Sequence, residues 1–280
     1  MGPGREFGVE ADYNLWAEGQ YFEIDDDRYN INSNGSIKEL RFGLDRLVSD
    51  NLVFGIAGGF ESLENTADSG TINVEQDGFF VGPYLGYRFN DFGVFDVWVG
   101  YAAGDGESRI SRLEGSFDVD RLFISANLSS QYTTDNQVNF RPKLSFYYGS
   151  SDISDYSLYL DPDKNGGYGG TLTLDDYDTN YGVLEFSGEV NKIYDSSKNT
   201  YTMPFFRLGV SYAFERPNDG VIITPDLTAE DTAKVLGNVH AGFRMLINTQ
   251  FVAEVRAGYF GLGESDFDVW NGRLIFSYFF

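Results

Sequence analysis

A chain of 280 residues without a single cysteine has no disulfide framework, no thiolate metal ligands and no thiol nucleophile. A formal net charge of -23 leaves no basic face for phosphate, so nucleic acid is not expected as a partner. Aromatic residues at 17% and 33 glycines against 7 prolines favour strands, and no apolar run reaches the roughly 18 to 20 residues of a membrane helix.

Met1 to Phe7 carries no hydrophobic signal region and is expected to be vector-derived, ahead of one domain over residues 8–280. From there the chain falls into segments of period two, joined alternately by long polar links and by tight turns. The first strand is about Asn14 to Ile24, followed by a polar link from Asp25 to Gly35. The second sets Leu40, Phe42 and Leu44 against Glu39, Arg41, Gly43 and Asp45, and turns at Ser49-Asp50-Asn51. The third carries Leu52, Phe54, Ile56 and Phe60 on one face, before a long link from Glu61 to Gln76. Phe79, Val81, Pro83, Leu85 and Tyr87 of the fourth oppose Tyr84, Gly86 and Arg88. After a turn at Asn90-Asp91, Phe95, Val97, Val99 and Tyr101 of the fifth oppose Asp96, Trp98 and Gly100.

Gly104 to Ser116 is again long and polar. In the sixth strand Leu122, Ile124, Ala126 and Leu128 oppose Arg121, Phe123, Ser125 and Asn127. A turn over Thr133 to Asn136 leads to the seventh, with Phe140, Pro142, Leu144 and Phe146 opposite Asn139, Arg141, Lys143 and Ser145. The longest link, Ser150 to Asp178, is rich in Asp and Gly. The eighth strand, Asn180 to Val190, is unusually polar through Glu185, Ser187 and Glu189. The ninth sets Phe206, Leu208, Val210 and Tyr212 against Phe205, Arg207 and Gly209, and the proline-broken stretch from Glu215 to Asp231 is expected to be loop. The tenth places Val239, Ala241 and Phe243 opposite His240, Gly242 and Arg244, and turns at Asn248-Thr249. The eleventh places Phe251, Val255 and Tyr259 opposite Glu254, Arg256 and Gly258.

The twelfth ends the chain. Trp270, Gly272, Leu274, Phe276, Tyr278 and Phe280 lie on one face, and Asn271, Arg273, Ile275, Ser277 and Phe279 on the other. Successive side chains of a strand point to opposite sides, so one surface is apolar and aromatic and the other mixed. Exposed apolar strand edges template aggregation in water; a closed barrel in a lipid bilayer satisfies both faces and every backbone group. The expected fold is therefore all-β, a transmembrane antiparallel up-and-down barrel of about 12 strands. An even count puts both termini on the side of the short turns, which is periplasmic in bacterial barrels. A β-sandwich also alternates, but its strands are shorter and lack consistent arginine rows opposite aromatic ones.

The expected lumen-facing polar set is Glu39, Arg41, Asp45, Arg88, Asp96, Arg121, Arg141, Lys143, Glu185, Arg207, His240, Arg244, Glu254, Arg256 and Arg273. An arginine facing lipid at the midplane costs about 2 to 4 kcal/mol, and every arginine of this set falls on the polar face. Two readings of the set stay open: cross-strand pairing that fills a polar interior, and charge-assisted contacts to a helix or a translocating chain.

A terminal Phe280 with alternate residues Gly272, Leu274, Phe276 and Tyr278 resembles the signal by which bacterial outer-membrane proteins are read by the barrel-assembly machinery. The segments as a whole resemble the carboxyl-terminal translocator domain of autotransporters, the type V secretion proteins. The likeness is carried by Asn14-Leu15-Trp16-Ala17-Glu18-Gly19, by Phe42 to Gly55, by Pro83-Tyr84-Leu85-Gly86-Tyr87-Arg88-Phe89, by Pro204 to Tyr212 and by Phe280, in that order. The resemblance implies an outer-membrane barrel of a Gram-negative bacterium that anchors a passenger and helps it reach the surface, monomeric, bounded by lipid and lipopolysaccharide, with a helix ahead of the first strand lying in the pore. Nothing before Asn14 is long enough for that helix, so the chain is expected to be a truncated translocator whose pore helix and passenger lie upstream.

The rival class is a small monomeric channel for anionic or sugar-like solutes, to which arginines along a pore would lend selectivity. Catalysis is not expected: hydrolases of this compartment need a nucleophile with a positioned histidine, and the one histidine, His240, is expected in the lumen. No cofactor is expected. Asp161-Pro162-Asp163-Lys164-Asn165-Gly166 reproduces the first half of a calcium loop, with candidate ligands Asp161, Asp163 and Asn165. Leu172 stands where the bidentate Glu belongs, so ordinary acidic turn chemistry is the alternative there.

Overall fold

The computed structural model describes all residues except 1–10, 29–31, 68–69, 90–92, 198, 218–221, 225–226 and 229–232. The segment Met1 to Phe7 and the Asn90-Asp91 turn lie outside the described residues. Twelve long strands form the wall: β1 (Tyr13–Asp26), β2 (Ser33–Ser49), β3 (Leu52–Ala67), β4 (Ile72–Arg88), β5 (Gly93–Ile110), β6 (Leu113–Ser130), β7 (Val138–Ile153), β8 (Tyr177–Lys192), β9 (Thr200–Glu215), β10 (Val235–Ile247), β11 (Phe251–Leu262) and β12 (Phe267–Phe279). Each pairs antiparallel with its sequence neighbours, and β1 pairs with β12, which closes the sheet into a barrel. The seam is completed by Tyr13 N–H donating to Phe280 O at 2.9 Å and Phe280 N–H donating to Tyr13 O at 3.1 Å. No strand edge is left open along it, which is the condition for a sheet to sit in hydrocarbon.

The period-two pattern lies across the wall as its sequence implies. Leu122 is 64% exposed, Phe186 62% and Trp270 59%, all on the outer face, a density of exposed apolar surface that water does not support. The inner face carries the buried polar residues. Trp16, Tyr84 and Ala57 pack against one another there, and Leu246, Val252 and Phe279 form a second apolar cluster. Gly43, on the strand beside Trp16, makes that packing feasible: a Cβ at Gly43 would come within 2.4 Å of the indole. The connection from Ile247 to Phe251 is tight: Gln250 N–H donates to Ile247 O at 3.1 Å, and Asn248 and Thr249 between them take positive φ, 52° and 59°, as the central pair of a type I′ turn does.

The links opposite the tight turns differ from the sequence expectation. Glu61 to Gln76 and Gly104 to Ser116, read as polar loops, are mostly strand: β3 runs to Ala67, β4 starts at Ile72, and β5 and β6 reach Ile110 and Leu113. At 18 residues each, β5 and β6 are well beyond the roughly 9 to 11 that cross a bilayer. Past the lipid both faces meet water, so the apolar alternation stops while the hydrogen-bonded ladder continues. Like charges even stand directly opposite, Glu64 with Glu75, Glu75 with Glu107, and Asp77 with Asp105; only exposure to water and screening make this tolerable. Inside the longest link, Tyr156–Leu160 pairs with Gly170–Leu174 and joins β6 at Leu113. In the link from Glu215 to Asp231, Ile222–Thr224 pairs with Leu227–Thr228.

Candidate functional site: the lumenal face

Polar residues inside the barrel come from strands that are far apart in sequence and are organised in three levels. Near the short turns, Asp45 of β2 accepts from Tyr84 Oη at 2.7 Å and from Asn14 Nδ2 at 3.2 Å, while Trp16 Nε1 donates to Tyr84 Oη at 2.8 Å. All four residues are buried. This network satisfies polar groups that would otherwise be costly to bury and fixes β1, β2 and β4 relative to one another. Arg88 lies half-buried on the inward face at the same end.

The middle level is ionic. Glu189 of β8 faces three arginines: Arg244 at 2.6 Å, Arg207 at 3.0 Å and Arg141 at 3.7 Å. Arg244 also meets Glu254, and its guanidinium lies 4.0 Å from the ring centre of Phe205. On the other side Glu18 of β1 holds Arg273 at 2.5 Å and Arg41 at 3.5 Å. Pairing of this kind is what allows buried charges to persist, since an uncompensated one would cost several kcal/mol. Arg256 differs: it stands directly opposite Arg273 in the ladder, is 8% exposed, and makes no hydrogen bond or ion pair among the described residues. His240 lies with its ring over Gly258 and edge-on to Phe260 at 5.0 Å. Lys143 is half-buried on the inward face of β7. Glu185 accepts from Asn238 Nδ2 at 3.2 Å and Asp96 from Asn127 Nδ2 at 2.9 Å.

The third level lies farther from the short turns. Arg41 bonds Glu39, and Arg121 of β6 reaches Glu61 of β3, with Nη2 2.6 Å from both carboxylate oxygens. The anions that anchor these levels, Glu18, Glu61 and Glu189, are absent from the set assembled from sequence. Glu61 lies in a stretch whose polar sequence predicts a loop, and Glu18 and Glu189 lie on strands where no local pattern records which carboxylate answers each arginine. Parity carried the signal: each shares the inward side with its arginines.

Gly272, Leu274, Phe276, Tyr278 and Phe280 all lie on the outer face of the last strand. Phe280 stacks on Tyr13 at 5.6 Å and on Tyr278 at 5.5 Å, across and along the seam. In the loop at Asp161, the carboxylate accepts from the Asp163 N–H at 2.9 Å, Asn165 Nδ2 donates to Asp161 O at 2.7 Å, and Arg112 donates to Asn165 Oδ1 at 3.2 Å. These oxygens are engaged in turn and side-chain bonds, and no group of three His, Cys, Asp or Glu among the described residues is arranged to hold a metal ion.

A closed barrel of twelve strands with a charged, internally paired lumen narrows the families to be compared. The description "Autotransporter beta-domain" matches residues 15–259. The chain belongs to the autotransporter β-domain family. It is similar in fold to the translocator domain of the autotransporter NalP from Neisseria meningitidis, with a TM-score of 0.75 at 11% identity, over 98% of this chain and 91% of that one. The β-domain of the Bordetella autotransporter BrkA matches with a TM-score of 0.70 at 12% identity, over 96% and 100%. The transport unit of AIDA-I from Escherichia coli matches with 0.65 at 11%, over 100% and 93%. No curated protein sequence matches the chain. As an autotransporter β-domain the barrel is an outer-membrane translocator of a Gram-negative envelope, a transport unit that serves a passenger.

Proposed function

We propose that this barrel anchors a passenger attached at its N-terminal side and assists that passenger's export, with both barrel termini in the periplasm, and that it acts as a monomer rather than as an enzyme. The observation that carries the reading is the closed seam between β1 and β12 around a lumen in which Arg41, Arg121, Arg207, Arg244 and Arg273 are answered by carboxylates from other strands. A wall of this kind presents paired charges that exchange partners with a passing or resident segment. A helix 10 to 12 Å across with its side chains matches the lumen scale of a barrel of this strand number, so the pore helix is assigned to sequence upstream of β1.

In this reading Met1 to Phe7 precedes a single domain over residues 8–280. The outer face of β12, ending in Phe280, is the surface offered to the barrel-assembly machinery, and the wall is bounded by lipid and lipopolysaccharide. The channel alternative is disfavoured by the pairing itself: Arg41, Arg121, Arg207, Arg244 and Arg273 each have a carboxylate partner, which cancels the fixed positive field that anion selectivity needs. The test is to restore an upstream segment with a reporter passenger and to measure protease-accessible reporter on intact cells. Display that depends on the barrel supports the reading, and a reporter retained in the periplasm of cells with a correctly assembled barrel contradicts it.

A further inference from the structure

Beyond the ionic level, a cavity of about 280 Å³ opens in the inner wall between β2 and β7. It lies just below the roughly 300 to 1,000 Å³ typical of ligand pockets, which suits one ring and its immediate attachment rather than an extended ligand. Its floor is aromatic. Trp98 meets Phe80 edge-on at 5.9 Å and Phe123 at 5.0 Å, and Phe123 stacks on Tyr147 at 6.4 Å. These separations are those at which aromatic pairs attract; Phe80 and Phe123 are themselves buried and the Arg41 guanidinium lies 5.9 Å from the Phe80 ring centre and 5.8 Å from that of Trp98, so a further ring entering the cavity packs on the parts of the cluster that Arg41 leaves uncovered. The platform is rigid: Trp98 Nε1 donates to Gly82 O at 3.3 Å, and Phe123 lies where a Cβ on Gly100 would come within 2.3 Å of its ring.

Polar chemistry on the rim selects among aromatic ligands. Arg121 gives only Nη2 to Glu61; its Nε is buried without a partner, and its Nη1 makes no hydrogen bond or ion pair among the described residues. Donors are therefore left beside the rings. The two guanidinium groups of the rim, on Arg41 and Arg121, are already neutralised by Glu39 and Glu61, so a second carboxylate would meet like charge while a neutral carbonyl would not. A ring joined closely to an uncharged carbonyl is the chemistry of an aromatic residue within a polypeptide.

We propose that this cavity binds one aromatic residue of a polypeptide in transit through the lumen, its ring on the Phe80, Trp98 and Phe123 platform and its backbone carbonyl on Arg121. The inference rests on the translocator function proposed above and adds to it a chemical preference and a place.

The experiment is calorimetric titration of the purified barrel in detergent micelles with N-acetyl-L-phenylalaninamide, against empty micelles. N-acetyl-L-leucinamide and phenylacetate serve as competing chemistries. Saturable binding of the phenylalanine amide, at least about tenfold tighter than either of the others, is expected. Phe123→Leu, which keeps an apolar side chain, and the paired Arg121→Gln/Glu61→Gln variant, which leaves no charge stranded, are each expected to weaken it about tenfold while both still show heat-modifiable gel migration. No saturable heat above that of micelles, equal binding of the leucine amide, or unchanged binding by both variants overturns the proposal. Tighter binding of phenylacetate overturns it as well, in favour of a free aromatic acid. A wild-type barrel that displays a reporter passenger but binds no probe defeats this inference alone, whereas one that displays no reporter defeats the translocator reading even if the probe binds.

Discussion

Arg244 grips Glu189 with two nitrogens, Nη1 at 2.6 Å and Nη2 at 2.9 Å, although the residues stand on β10 and β8, with β9 between them. The pair thus spans the curvature of the wall rather than a single ladder, and Arg207 of the intervening strand completes it from the same side at 3.0 Å. Forked arginine–carboxylate contacts are directional as well as strong, so this cluster fixes the relative rotation of three strands inside the barrel.

Replacing Glu189 by Gln leaves three arginines facing a neutral group in a site where Glu189 is 2% exposed. The expected loss is about 3 kcal/mol, read as a lower guanidinium midpoint for the refolded barrel. Adding Arg244→Met to Glu189→Gln is expected to recover part of it, because one stranded charge is removed.

Gly43 is tied to the Trp16, Tyr84 and Asp45 network through the indole that covers it. Gly43→Val displaces that ring and is expected to destabilise the barrel by about 1 to 3 kcal/mol, seen as a lower temperature for loss of heat-modifiable gel migration. An unchanged transition would mean that the glycine is not required for the close approach.

On the outer wall, Ile56 is 55% exposed to what the membrane supplies. Ile56→Arg is expected to cost about 2 to 4 kcal/mol in lipid vesicles. Ser125→Arg, which points into the lumenal cavity, should cost much less. Equal costs at the two positions would contradict the assignment of the faces.

Much of this was legible in the sequence because lipid imposes a strict alternation. Wherever a strand crosses hydrocarbon, as from Phe140 to Phe146, every second residue is apolar, and the face of each arginine follows from its parity. The stretch from Glu61 to Ala67 was illegible for the opposite reason: water on both sides of the wall removes the alternation, so a strand reads as a loop. The lumenal partners were only half legible. Arg121 and Glu61 are 60 residues apart and on strands that do not touch, and which inward residues share a level depends on the stagger of the closed sheet, which no local pattern records. The cavity between β2 and β7 is the extreme case, since its walls come from Glu39, Phe80, Trp98, Phe123 and Tyr147, and no two of these are close in sequence.

Deleting Phe280 removes both seam hydrogen bonds to Tyr13 and the stack on its ring. In cells, a marked fall in folded, heat-modifiable barrel is expected, while spontaneous refolding in detergent should be slowed less, because in the function proposed above only the cellular route uses the outer face of β12 as a signal. Equal effects on both routes would reduce Phe280 to a structural role.

The chain has no native cysteine, so single cysteines placed at each position from Phe140 to Phe146 report the environment of β7 without background. Labelling in outer-membrane vesicles with a membrane-impermeant, water-soluble maleimide is predicted to alternate, with the half-buried inward positions 141, 143 and 145 modified more readily than 140, 142, 144 and 146. Uniform labelling along the strand, or the reversed alternation, would contradict a lipid-facing outer wall around a wet interior.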